Sequence, residues 1–146
     1  MKRKSIELIA AGWALISLIL IQPGCQKDSD GQDGSSSSIE GLWVGLYTVD
    51  GQLGQRYYSF VIKLDGTVIN DTKAENQQHL NIGSWTLTGD SFECTATCVY
   101  GLPERVGITE TYTATFDKAN GTLINGIWKT VPPINGSGTF TLTKVK

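Results

Sequence analysis

From Leu42 to the C-terminus, apolar and polar residues alternate in short runs. Tyr58, Phe60, Ile62 and Leu64 fall on one face of their run. Phe92, Cys94, Ala96, Cys98 and Tyr100 do the same, as do Ile108, Tyr112, Ala114 and Phe116, with Thr109, Thr111, Thr113 and Thr115 opposite. A repeat of two is the signature of a β-strand with one face buried, and no stretch carries the repeat of a helix. The runs predict eight strands: Leu42–Val49, Tyr57–Leu64, Thr67–Asp71, Leu80–Thr88, Ser91–Tyr100, Gly107–Phe116, Thr122–Lys129 and Gly138–Val145. The apolar sets point inward and the threonines toward water, the reverse of a transmembrane barrel. Glu110 is the one acid in phase with an apolar face, near the end of its strand: it either reaches out at a rim or serves as an inward polar handle.

The connections sort by length. Asp65-Gly66, Gly89-Asp90 and Lys118-Ala-Asn-Gly121 are tight hairpin signals, whereas Asp50–Arg56, Thr72–His79, Gly101–Val106 and Thr130–Ser137 read as long loops. In an up-and-down meander successive turns alternate between the two ends, so the tight turns share one end with the chain's point of arrival and the four long loops share the other. The expected fold is all-β, an eight-stranded antiparallel up-and-down barrel. Eight strands is about the smallest number that removes both edges while leaving an interior filled by side chains or holding one small ligand.

Ahead of the strands lies a different pattern. Met1-Lys-Arg-Lys4 is basic, Leu8–Ile21 is apolar apart from Gly12 and Ser17, and Gly24-Cys25 follows. The apolar run is of signal-peptide length, short of the roughly 20 residues of a spanning helix. The junction resembles the lipobox of bacterial lipoproteins, and Gln26-Lys27-Asp28-Ser29-Asp30 resembles the export signal of Bacteroidota surface lipoproteins. The resemblance implies cleavage before Cys25, acylation of Cys25, and an outer-membrane anchor with the protein at the cell surface. Residues 1–24 are then a signal peptide, 25–38 a lipidated cysteine and flexible Gly/Ser/Asp tether, and 39–146 the barrel. One acyl chain contributes about 0.8 kcal/mol per buried methylene and holds marginally; two or more hold firmly.

Ile39-Glu-Gly-Leu-Trp43 opens the first strand with a Gly-x-Trp, and Lys144 stands at the matching end of the last. The layout resembles the lipocalin-like and streptavidin-like barrels, and that resemblance implies the barrel shape and Lys144 laid over the Trp43 ring. Gly-x-Trp recurs at Gly83-Ser-Trp85 and Gly126-Ile-Trp128. Each glycine either lets an indole pack across neighbouring backbone, or the tryptophans line a pocket.

Charge and chemistry narrow the function. Loss of Lys2, Arg3, Lys4 and Glu7 with a leader takes the formal net charge from −2 to about −4, and no Lys/Arg cluster stands out, which argues against nucleic acid. Cys94 and Cys98 share a strand face about 13 Å apart, beyond the roughly 4.4–6.8 Å a disulfide spans. They are either buried thiols or a bond that breaks the strand; a Cys-x3-Cys with no partner pair does not indicate metal. His79, the single histidine, falls in the polar Lys73–His79 stretch and reads as a solvated loop residue. No catalytic set and no cofactor signature emerges. The expectation is a non-enzymatic, monomeric lipoprotein binding a small apolar or amphipathic ligand among Tyr58, Trp85, Tyr100, Glu110, Tyr112 and Trp128. The alternative is a filled barrel that touches a glycan or another envelope protein through its loops.

Overall fold

The computed structural model describes residues 38–74 and 77–146. The leader, the Cys25 junction and most of the tether lie outside the described residues. The strands are β1 (Gly41–Tyr47), β2 (Arg56–Ile62), β3 (Thr67–Ala74), β4 (Gln77–Thr88), β5 (Ser91–Tyr100), β6 (Thr109–Asp117), β7 (Thr122–Thr130) and β8 (Ser137–Lys144). Each pairs antiparallel with its sequence neighbours, and β8 returns to β1 through Trp43↔Lys144 to Tyr47↔Phe140, closing the barrel. Closure satisfies every strand edge from within the sheet, so no backbone row is left open to pair with another chain.

Tight turns at 63–66, 89–90 and 118–121 gather at one end, beside Ser38 and Lys144; the connections 48–55, 101–108 and 131–136 gather at the other. The fourth long loop expected there is mostly strand: Thr72–Ala74 belongs to β3 and Gln77–His79 to β4, with Thr72↔His79, Lys73↔Gln78 and Ala74↔Gln77 continuing the ladder. These residues are polar because the sheet stands free above the core at this height, where no apolar inward set is required. Across the strand pair Gln78 Nε2 donates to both Asp71 carboxylate oxygens at 3.0 Å.

The end with tight turns is packed solid. Trp43, Phe60, Ile62, Val68, Phe92, Phe116, Leu123 and Leu142 are all at most 2% exposed. Trp43 meets Phe116 edge-to-face at 5.7 Å, and its Nε1–H donates to the Ile39 carbonyl at 2.7 Å, tying the first turn of chain across the barrel floor. Lys144 does not use its ammonium on the Trp43 ring: Nζ donates to the Ser38 carbonyl at 2.5 Å. Of the recurring glycines, Gly83 and Gly126 admit neighbouring strand backbone, since a Cβ would fall 1.9 Å from the Thr95 oxygen and 2.4 Å from the Phe140 oxygen.

β5 runs unbroken past both thiols, and Cys94 and Cys98 are free and buried. Burial pushes the Cys94 thiol up to about 12, so at neutral pH it behaves as a small apolar group.

Candidate functional site

Inward side chains change character from the packed end to the open one. Along β2 the inward series is Ile62, Phe60, Tyr58, Arg56; along β6 it is Phe116, Ala114, Tyr112, Glu110; along β3 it is Val68, Asn70, Thr72. Each strand begins as core and ends as a polar wall. Above the change lies a cup of about 470 Å³ within the barrel mouth. That lies inside the range of about 300–1,000 Å³ typical of small-molecule sites.

Aromatic rings form the bottom of the cup. Tyr47 and Tyr58 have centroids 4.5 Å apart, and Trp128 meets Tyr47 edge-to-face at 6.1 Å. Trp128 is held by Nε1–H donation to the Thr48 carbonyl at 2.8 Å. Its indole nitrogen lies where a Cβ on Gly138 would come within 2.6 Å, so here a glycine does make room for an indole. Burial raises Tyr58 and Tyr112 well above the usual phenol range, and Tyr47 less so, keeping all three as neutral hydroxyls.

Beneath one wall runs a buried polar network. Tyr112 donates to Glu110 Oε2 at 2.5 Å, a charge-assisted bond. Asn81 Nδ2 directs one hydrogen to Asn70 Oδ1 at 2.6 Å and has Tyr112 Oη and Glu110 Oε2 at 3.3 and 3.4 Å for the other. Asn70 in turn donates to the Ser59 carbonyl at 3.3 Å. Having only one proton, the Tyr112 hydroxyl gives it to the carboxylate and accepts from Asn81. The network fixes Glu110 with Oε2 engaged and Oε1 toward the cup, where Arg105 Nη2 stands at 4.0 Å, beyond hydrogen-bond length.

His79 is wall, not loop. It lines the cup from β4, its Nδ1 3.5 Å from Thr72 Oγ1. Gly101, at φ +149°, admits the imidazole where a Cβ would lie 2.2 Å from its Cδ2. Nε2 is buried with no hydrogen-bond partner. Burial, then the charge of Arg105, lowers its affinity for a proton, so the ring is neutral at pH 7. Arg105 is carried by the loop 101–108, which is pinned to β5 by Gly107 N–H donation to the Cys98 carbonyl and Cys98 N–H donation to the Ile108 carbonyl, both 2.8 Å. Arg56 enters from the first residue of β2 and donates to Gln52 Oε1 at 2.6 Å.

No protein-family model, curated protein or solved structure matches this chain.

Of the residues expected to line a ligand site, Tyr58, Glu110 and Trp128 line the cup, and Tyr112 lies just below, wired to Glu110. Trp85 and Tyr100 are elsewhere. Trp85 seals the packed end, stacked on Phe92 at 6.4 Å with Nε1–H donating to the Lys63 carbonyl at 2.8 Å. Tyr100 points to solvent, 64% exposed, because the β4–β5 register slips between Leu80 and Asn81: one step on β4 spans two on β5, and the side-chain alternation ends at Cys98. Arg56, His79 and Arg105 went unrecognised. Arg56-x-Tyr58-x-Phe60 and His79-x-Asn81 are in phase with inward faces and could have been found; Arg105, on a loop, carries no such signal. Among the described residues no group of three His, Cys, Asp or Glu could hold a metal ion.

Proposed function

We propose that this protein is a membrane-anchored, non-enzymatic lipoprotein of the outer membrane and cell surface whose barrel binds a small amphipathic molecule in its open end. The observation that carries the reading is the cup itself: about 470 Å³, aromatic below and polar around the wall. A barrel of this size folds most simply with its interior filled, as the opposite end is; inward Arg56, His79 and Glu110 contribute nothing to that packing. Aromatic faces supply contact area and the convergent polar groups orient what lies on them. Chemistry has little support in the cup: the Cys98 thiol is raised by burial and donates to the Tyr100 carbonyl at 3.3 Å.

The address rests on the leader and on geometry. The described chain begins at Ser38, beside the packed end, so a lipid on Cys25 would tether the barrel by its closed base, with a root-mean-square reach of about 20 Å for 14 flexible residues. The mouth then faces away from the bilayer.

Native mass spectrometry of the protein purified from its own host tests the binding reading. A discrete small-molecule increment that disappears on denaturation is expected; a bare chain mass, with no small molecule raising the melting temperature, would count against it. For the anchor, Cys25→Ser is expected to move the protein from the membrane pellet to the soluble fraction. Unchanged sedimentation would refute the lipid.

A further inference from the structure

Charges inside the cup do not balance. Among the described residues, two guanidiniums, Arg56 and Arg105, line it against the single carboxylate of Glu110, and His79 is a neutral ring. Glu104 is close enough to act on His79 but is exposed on the outer side of its loop and does not line the cup. The described lining therefore carries a surplus of one positive charge in a recess walled by protein, where field lines are focused and an anion is drawn in. Arginine is also the side chain whose planar fork matches a carboxylate through paired N–H donors.

Glu110 Oε1 has Arg105 at 4.0 Å, beyond hydrogen-bond length, and can accept from a hydroxyl. His79 Nε2 has no partner either, but it is sealed inside the wall and out of a ligand's reach. Below them lie the ring faces of Tyr47, Tyr58 and Trp128, which favour a flat molecule with one apolar side. At about 30 Å³ per water the cup has room for some 15 waters, the space of one six-membered ring with its substituents and a partial shell.

Resting on the proposal that the cup binds a small molecule, we infer that its ligand class is a hydroxylated monocarboxylate of sugar-acid type, the carboxylate held between Arg56 and Arg105, a hydroxyl on Glu110 Oε1, and one ring face on the aromatic floor. The class gives Glu110 Oε1 a donor and neutralises the surplus charge. A cation meets two like charges before it reaches Glu110. A purely aliphatic chain leaves Glu110 and Arg105 desolvated and unpaired, at about 1–3 kcal/mol for each group so stranded.

Three probes of one size and different charge separate the possibilities: D-glucuronate, D-glucose and D-glucosamine, titrated calorimetrically into the full-length protein. Glucuronate is expected to bind at least tenfold more tightly than glucose, and glucosamine the most weakly. Arg105→Gln and Arg56→Gln should each reduce glucuronate affinity at least tenfold while leaving that for glucose within a factor of two. Circular dichroism melting establishes that each variant is folded, and raised salt should weaken glucuronate binding alone. Equal affinities, or glucosamine binding most tightly, overturn the anionic class and leave the cup as a small-molecule site. Failure of all three probes to bind also overturns the class; only if the protein from its own host is bare as well does the binding reading fall with it.

Discussion

Trp43→Ala should destabilise the barrel by about 3–5 kcal/mol, a large part of the roughly 5–15 kcal/mol that holds a domain of this size folded. The indole is fully buried, meets Phe116 edge-to-face, and its N–H is the donor that ties the Ile39 carbonyl across the packed end. Alanine removes the ring, opens a cavity in a region whose strands are fixed by closure, and leaves that carbonyl without its donor. Trp85 provides the internal control. It sits at the same end but is half-buried, so Trp85→Ala loses less apolar contact and one hydrogen bond at an exposed turn. In urea unfolding, with a slope of about 1–3 kcal/mol per M, Trp43→Ala should lower the midpoint by one to several molar and Trp85→Ala by much less. Equal shifts for the two would mean that the base is not the closed, packed end described.

The barrel was legible because its lower half obeys one rule: inward residues apolar, outward residues polar. Phe92 to Cys98 on β5 and Tyr112 to Phe116 on β6 follow it, and on β6 Glu110, which breaks it while staying in phase, lies in the cup wall. What failed was the upper half, and for a physical reason. Where the interior opens to water there is no need for an apolar inward set, so Thr72, Gln77 and His79 looked like loop although the ladder continues through them. Bulges account for the rest. Alternation survives only as long as each strand advances in step with its partner; the slip at Leu80/Asn81 turns Tyr100 outward, and another at Leu123/Gly126, with Asn125 at φ +54°, offsets β7 before Trp128. Tyr100 carries the alternation of its strand and Trp128 a Gly-x-Trp, and the bulges decide which of them faces inward.

Asn81→Leu should cost about 2–4 kcal/mol although leucine has nearly the same size, because it strands several groups at once. Asn70 Oδ1, buried completely, loses its 2.6 Å donor, Tyr112 Oη loses the donor it accepts from, and Glu110 Oε2 keeps Tyr112 but loses its second contact. Asn70→Leu alone should cost a similar amount, since it leaves the Asn81 amide facing an aliphatic surface. Together the two should cost clearly less than their sum, because an apolar pair in place of a bonded pair leaves fewer groups unsatisfied; the coupling expected between contacting partners is about 1–3 kcal/mol. A double-mutant cycle in urea measures it. The cup links this stability term to binding: Asn81 and Tyr112 hold Glu110 Oε2, so that Oε1 remains directed inward. The double variant should therefore fold and yet lose ligand affinity, with Tyr112→Phe lowering affinity through the same carboxylate. Strict additivity of the two asparagine substitutions would show that they act separately and not as a bonded pair.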